Sequence, residues 1–139
     1  MNKILLTSIC AAAMTSAASA FTLDLSSVNN QILGVSTITN TYGSFTLIGS
    51  GSPHVTNGVV NLNPSQAFTI LYPSNVTYIG AFTLGNITTI DNGNAVQFVS
   101  NPDGTQVSQI TFEETAVPEP SSTALLGLGG IALILRRRK

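Results

Sequence analysis

The side chains that carry most enzyme chemistry are scarce in this sequence: one histidine, His54, one cysteine, Cys10, and six carboxylates in 139 residues. A general base must stand within hydrogen-bond reach of the proton it takes. His54 follows Gly49-Ser50-Gly51-Ser52-Pro53, a loop composition, which predicts a solvated loop histidine rather than a catalytic base. There is no G-x-S-x-G nucleophile elbow. A glycosidase needs two carboxylates facing each other across a sugar, roughly 5 to 10 Å apart. Glu113 and Glu114 are neighbours in a strand-like run and should point to opposite faces.

Transition-metal sites need clustered His and Cys, and here one of each is available. Asp91-Asn92-Gly93-Asn94 and Asp103-Gly104 offer oxygen ligands of the kind calcium takes, but neither has EF-hand spacing, and turn chemistry accounts for both. The expectation is a protein with no catalytic residue, no cofactor and no metal, and not an enzyme.

Charge is placed unevenly. All five basic residues are terminal, Lys3 and then Arg136, Arg137, Arg138 and Lys139, and none lies between Phe21 and Val117. The same stretch carries Asp24, Asp91, Asp103, Glu113 and Glu114. An anionic domain without cations excludes nucleic acid as a partner, because phosphate is engaged by Lys and Arg.

The N-terminus has a basic start at Lys3, an apolar run of about ten residues from Ile4 to Ala13, and the small-x-small site Ala18-Ser19-Ala20. This is the layout of a signal peptide over residues 1–20, a short helix cut by signal peptidase after Ala20. Cys10 falls inside it, so the processed chain would have no thiol.

At the other end Val117-Pro118-Glu119-Pro120 breaks any regular structure, because two prolines fix φ and remove two backbone donors. The apolar segment from Ser121 to Leu135 follows, and the basic cluster closes the chain. As a helix the apolar segment would be about 22 Å long, against a hydrocarbon thickness of roughly 30 Å. It would span a bilayer only marginally, with Arg136, Arg137, Arg138 and Lys139 held on the cytoplasmic side. Gly127, Gly129 and Ala132 match G-x-G-x-x-A by accident, since no βαβ unit surrounds them.

The segment VPEPSSTALLGLGGIALILRRRK, residues 117–139, resembles a PEP-CTERM sorting signal: a Pro-Glu-Pro motif, a short glycine-bearing apolar helix and an arginine-rich end. The resemblance implies recognition of Pro118, Glu119 and Pro120 by an exosortase, a membrane protease or transpeptidase of bacteria that make extracellular polysaccharide. It implies transient residence in the inner membrane, then release to the cell surface or extracellular matrix. It does not define the middle of the chain. The competing layouts are a permanent anchor and an LPxTG cell-wall signal, and no LPxTG is present.

Residues 21–116 remain as one domain, large enough to bury about two-thirds of its unfolded surface. Runs rich in Val, Ile, Thr, Phe and Tyr alternate with Gly, Asn, Pro and Ser clusters, and no segment has helical periodicity. Leu23 and Leu25 alternate with Thr22, Asp24 and Ser26, as in a half-buried strand. Further strands are expected at Val35 to Thr39, Ser44 to Ile48, Val59 to Asn63, Ala67 to Tyr72, Thr77 to Leu84, Ala95 to Ser100 and Gln106 to Glu113. Asn101-Pro102-Asp103-Gly104 is the strongest hairpin signal, with further tight turns at Asn57-Gly58 and Asn92-Gly93. The expectation is an all-β antiparallel sandwich, of which a jelly roll is one form, flanked by the signal helix and the C-terminal apolar helix.

Two roles fit such a domain: a structural component of the surface or matrix, embedded in exopolysaccharide, and a lectin-like module. For the second, Tyr42, Tyr72 and Tyr78 are the aromatic candidates, although tyrosines in strands are more often half-buried cross-strand neighbours. A third role, adhesion through a strand edge, is suggested by the lack of lysines that ordinarily discourage edge pairing.

Overall fold

A computed structural model describes residues 18–115 and 120–137. The strands all lie in one unit, Ala18–Thr115, while the C-terminal helix belongs to another. The signal helix expected over residues 1–20 lies outside the described residues, except for its last three.

Apolar alternation and turn residues divide the domain into eight strands: β1 (Ala20–Thr22), β2 (Val35–Asn40), β3 (Gly43–Ser50), β4 (His54–Thr56), β5 (Val59–Leu62), β6 (Ala67–Leu71), β7 (Val76–Asp91) and β8 (Ala95–Glu114). They form one antiparallel sheet in the order β2-β3-β6-β8-β5-β4, with β1 and β7 also paired to β8. The all-β expectation holds. The strand expected around Leu23 and Leu25 is displaced toward the N-terminus: those two leucines are buried just beyond β1, before a 3-10 turn at Ser26–Val28. The Asp24 carboxylate accepts a hydrogen bond from the Ser26 backbone N–H at 2.9 Å, which holds its pKa below the ordinary value.

β8 is the spine. One of its edges is taken by β7, while the other is shared in turn by β6 along Ala95–Val99, β5 along Thr105–Val107 and β1 along Thr111–Glu113. The expected hairpin at Asn101-Pro102-Asp103-Gly104 is instead a wide bulge inside β8. There Gly85 on β7 is opposite Thr105 and Ile87 is opposite Ser100, so one intervening residue on β7 faces four on β8. The proline and the glycine, at φ 71°, supply turn geometry, but β7 continues to pair on both sides and the chain does not reverse. The detour redirects β8 from β6 to β5. The reversal comes earlier, at Asn92-Gly93-Asn94, where Gly93 at φ 83° joins β7 to β8. Asn57 and Gly58 both have positive φ and join β4 to β5, as a type I′ turn requires.

The sheet curls over its own core. Phe45 on β3 and Phe112 on β8 have ring centroids 5.1 Å apart, yet β3 reaches β8 through β6 at the far end of that strand. Phe21, Tyr72 and Tyr78 surround Phe112, and Phe68 stacks on Phe98 at 5.7 Å. Two layers face each other as in a sandwich, but they are parts of one continuous sheet. Offset and edge-on ring pairs of this kind add to the burial of each ring.

Candidate functional site

Two places on the chain have the makings of a site: the processing points at the ends and a polar groove on the outer face of the sheet.

The groove follows from register. Leu84 on β7 lies opposite Gln106 on β8, Gln106 lies opposite Asn61 on β5, and Asn61 lies opposite His54 on β4. Side chains that share a cross-strand row stand on one face, so four strands contribute one residue each to a transverse line. Gln106 Nε2 donates to Asn61 Oδ1 at 3.1 Å, and Asn61 Nδ2 donates to the carbonyls of His54 and Val59, both at 3.3 Å. His54 Nδ1 pairs with Thr56 Oγ1 at 2.9 Å. An open hollow of about 530 Å³ lies over His54, Thr56, Asn61, Asn63 and Gln106. A second, of about 380 Å³, shares Asn61, Asn63 and Gln106 and extends to Leu84 and Gly85. The lining is amide, hydroxyl and imidazole, with Val59 and Leu62 among them, Leu84 at one end, and no carboxylate.

Phe82, opposite Ser108, stands two residues from Leu84 on the same outer face, and each is about half exposed, 52% and 53%. Strict alternation would put Phe82 on the face of Tyr78, which packs against the core. A register shift between Tyr78 and Gly80 reverses the facing, so that Ala81 packs on the core and Phe82 turns outward. This exposed aromatic was not among the candidates read from sequence. Gly80 inside the strand was the local sign of irregularity.

The three tyrosines proposed for stacking are otherwise engaged. Tyr72 is buried and its hydroxyl donates to Asp91 Oδ1 at 2.6 Å. Burial, and then the Asp91 carboxylate, push the Tyr72 pKa well above its ordinary value, and the same two causes raise that of Tyr78. Tyr78 meets Phe98 and Phe112 edge-on, and Tyr42 stacks on Phe21 with centroids 4.0 Å apart. Asp91 Oδ1 also accepts from the Gly93 N–H at 3.0 Å, capping its own turn. Among the described residues no three His, Cys, Asp or Glu side chains come together as a metal would require.

Of the expected processing residues, Ala18 and Ala20 are exposed, and Ala20 opens β1. The Ser19 carbonyl accepts from the Glu114 N–H at 3.0 Å, and the Thr115 N–H donates to the Asn75 carbonyl at 2.8 Å. Pro118 and Glu119 lie outside the described residues. Pro120 opens helix α1 (Pro120–Arg137), where a missing N–H costs no intrahelical bond. Arg136 and Arg137 lie in its last turn, the end at which the helix dipole favours cations, and Arg138 and Lys139 are outside the described residues.

Leu126, Leu128, Ile131, Leu133, Ile134 and Leu135 are all exposed on α1. Even so, among the described residues no helix is long and apolar enough to cross a membrane. The marginal span expected from sequence falls short because α1 takes in Pro120, Ser121, Ser122 and Thr123 at one end and two arginines at the other.

No curated protein and no solved structure matches the chain. A family model does match its tail, over the residues that carry the Pro-Glu-Pro segment, the apolar helix and the basic cluster: residues 116–139 are a PEP-CTERM protein-sorting motif, the mark of an exosortase-sorted, exported protein.

Proposed function

We propose that the chain is a non-catalytic surface protein. It is exported with removal of residues 1–20 by signal peptidase, held at the inner membrane as a precursor through its C-terminal helix, and processed by an exosortase at Pro118-Glu119-Pro120. The β domain is then released to the cell surface or the extracellular matrix, in association with exopolysaccharide. The observation that carries this reading is the sorting motif at 116–139, which begins where the strand unit ends at Thr115. Cutting there removes no strand residue. The absence of a catalytic role is supported by His54, whose Nδ1 is engaged by a threonine hydroxyl rather than by a carboxylate that would activate it.

Mass spectrometry of the protein from its native host tests the reading. Molecules that start at Phe21 and end near Pro118 to Pro120 support it. An intact Lys139 on most molecules overturns it.

A second reading, carbohydrate binding by the β domain, is favoured by the amide-lined groove over His54, Asn61 and Gln106 rather than by the tyrosines.

A further inference from the structure

We propose that the row Leu84, Gln106, Asn61 and His54, with Phe82 beside it, is a binding site for a neutral oligosaccharide; this rests on the second reading above, and not on the sorting of the chain.

Three features of the row select the ligand class. The first is hydrogen bonding. Sugar hydroxyls both donate and accept, and side-chain amides answer both roles. Gln106 is oriented by its bond to Asn61, which is itself fixed by two backbone carbonyls. The order is therefore present before any ligand arrives, which lowers the entropic cost of binding. Gln106 Oε1 and His54 Nε2 make no hydrogen bond among the described residues and face a groove rather than a packed neighbour.

The second is the apolar end. Phe82 and Leu84 are half-exposed on the outer face, and the ring offers a flat apolar surface to the C–H face of a pyranose. From β7 to β4 the row crosses three inter-strand spacings, about 14 Å, room for a short oligosaccharide rather than a single sugar.

The third is charge. The groove lining has no carboxylate and no ammonium or guanidinium group, and the domain around it holds Asp24, Asp91, Asp103, Glu113 and Glu114 against no Lys or Arg. An acidic glycan would meet repulsion and find no cation to pair with. A neutral glycan meets neither obstacle.

The test is titration calorimetry with the full chain in a detergent that has no sugar headgroup, using neutral gluco-, manno- and galacto-oligosaccharides and an alginate oligosaccharide as the acidic probe. Saturable binding of a neutral probe, no binding of alginate, and at least a tenfold loss of affinity in both Phe82→Ala and Gln106→Ala at unchanged melting temperature support the site. If either variant melts early, chemical-shift mapping of the unaltered protein replaces it, with shifts required at Asn61, Phe82 and Gln106. The site is overturned if no neutral probe binds, if alginate binds equally well, if both variants bind as the parent does, or if the shifts fall elsewhere. Any of these failures leaves the termini found by mass spectrometry, and so the sorting reading, unaffected.

Discussion

Ala20 on β1 lies directly opposite Glu113 on β8, so the place where the chain enters the domain and the place where it leaves are neighbouring positions on two paired strands. Directly opposed residues in such a pair stand about 5 Å apart. The expected signal-peptidase cut after Ala20 falls within β1, and the sorting motif starts two residues after β8 ends. The first and last strand residues of the unit therefore lie at one end of the sheet. Cleavage after Ala20 shortens β1 but leaves Phe21, whose ring lies 4.0 Å from Tyr42 and 6.0 Å from Phe112.

That makes the residue next to the expected cut a structural one. Phe21→Ala is expected to lower the stability of the processed domain by about 2 kcal/mol, below the range for a fully buried phenylalanine because the ring is only partly covered. A shift of the urea midpoint measures it. An unchanged midpoint would mean that Phe21 does not pack in a chain that begins there.

Thr105 has the opposite character. Its hydroxyl is buried without a hydrogen-bond partner among the described residues, in a residue only 6% exposed. Thr105→Val keeps the shape and removes the unsatisfied group, so a gain of about 1 kcal/mol is expected. Chemical denaturation would show it as a raised midpoint with the slope unchanged, and a loss would mean that the hydroxyl has a partner.

The Tyr72 to Asp91 hydrogen bond ties the core to the hairpin tip and makes stability depend on alkaline pH. The native state holds the Tyr72 proton more tightly than the unfolded chain, whose value is near 10.0. The contribution is complete below pH 10 and is lost as pH rises above it. Tyr72→Phe should cost about 1.5 kcal/mol at neutral pH and flatten the alkaline decline. Thermal melts from neutral pH to pH 11 on both proteins would decide, and parallel curves would refute the assignment.

Gly85 lies at the edge of the β8 bulge with φ 92°, and a Cβ there would meet the Gly104 carbonyl oxygen at 2.7 Å and Thr105 Cγ2 at 2.8 Å. Gly85→Ala should cost about 2–3 kcal/mol through the backbone conformation and the clash. Gly34→Ala, where a Cβ meets nothing within 4 Å, is the control and should stay within about 0.5 kcal/mol. Equal melting temperatures for the two variants would show that the bulge yields freely.

What the residues determined by themselves were the features written locally. Strand-forming runs and turn pairs such as Asn57-Gly58 and Asn92-Gly93 specified an all-β domain and two of its reversals, and a contiguous tail of 24 residues specified the sorting motif. What only the tertiary structure decided was pairing over long separations. Asn101-Pro102-Asp103-Gly104 has the chemistry of a hairpin turn, and nothing within it reveals that β7 runs past on one side and makes it a bulge. The outward facing of Phe82 and the row from Leu84 to His54 likewise depend on the registers of four strands. Turn and strand preferences arise from the sterics of a few adjacent residues, whereas register is chosen by the burial of a core that those residues do not contain.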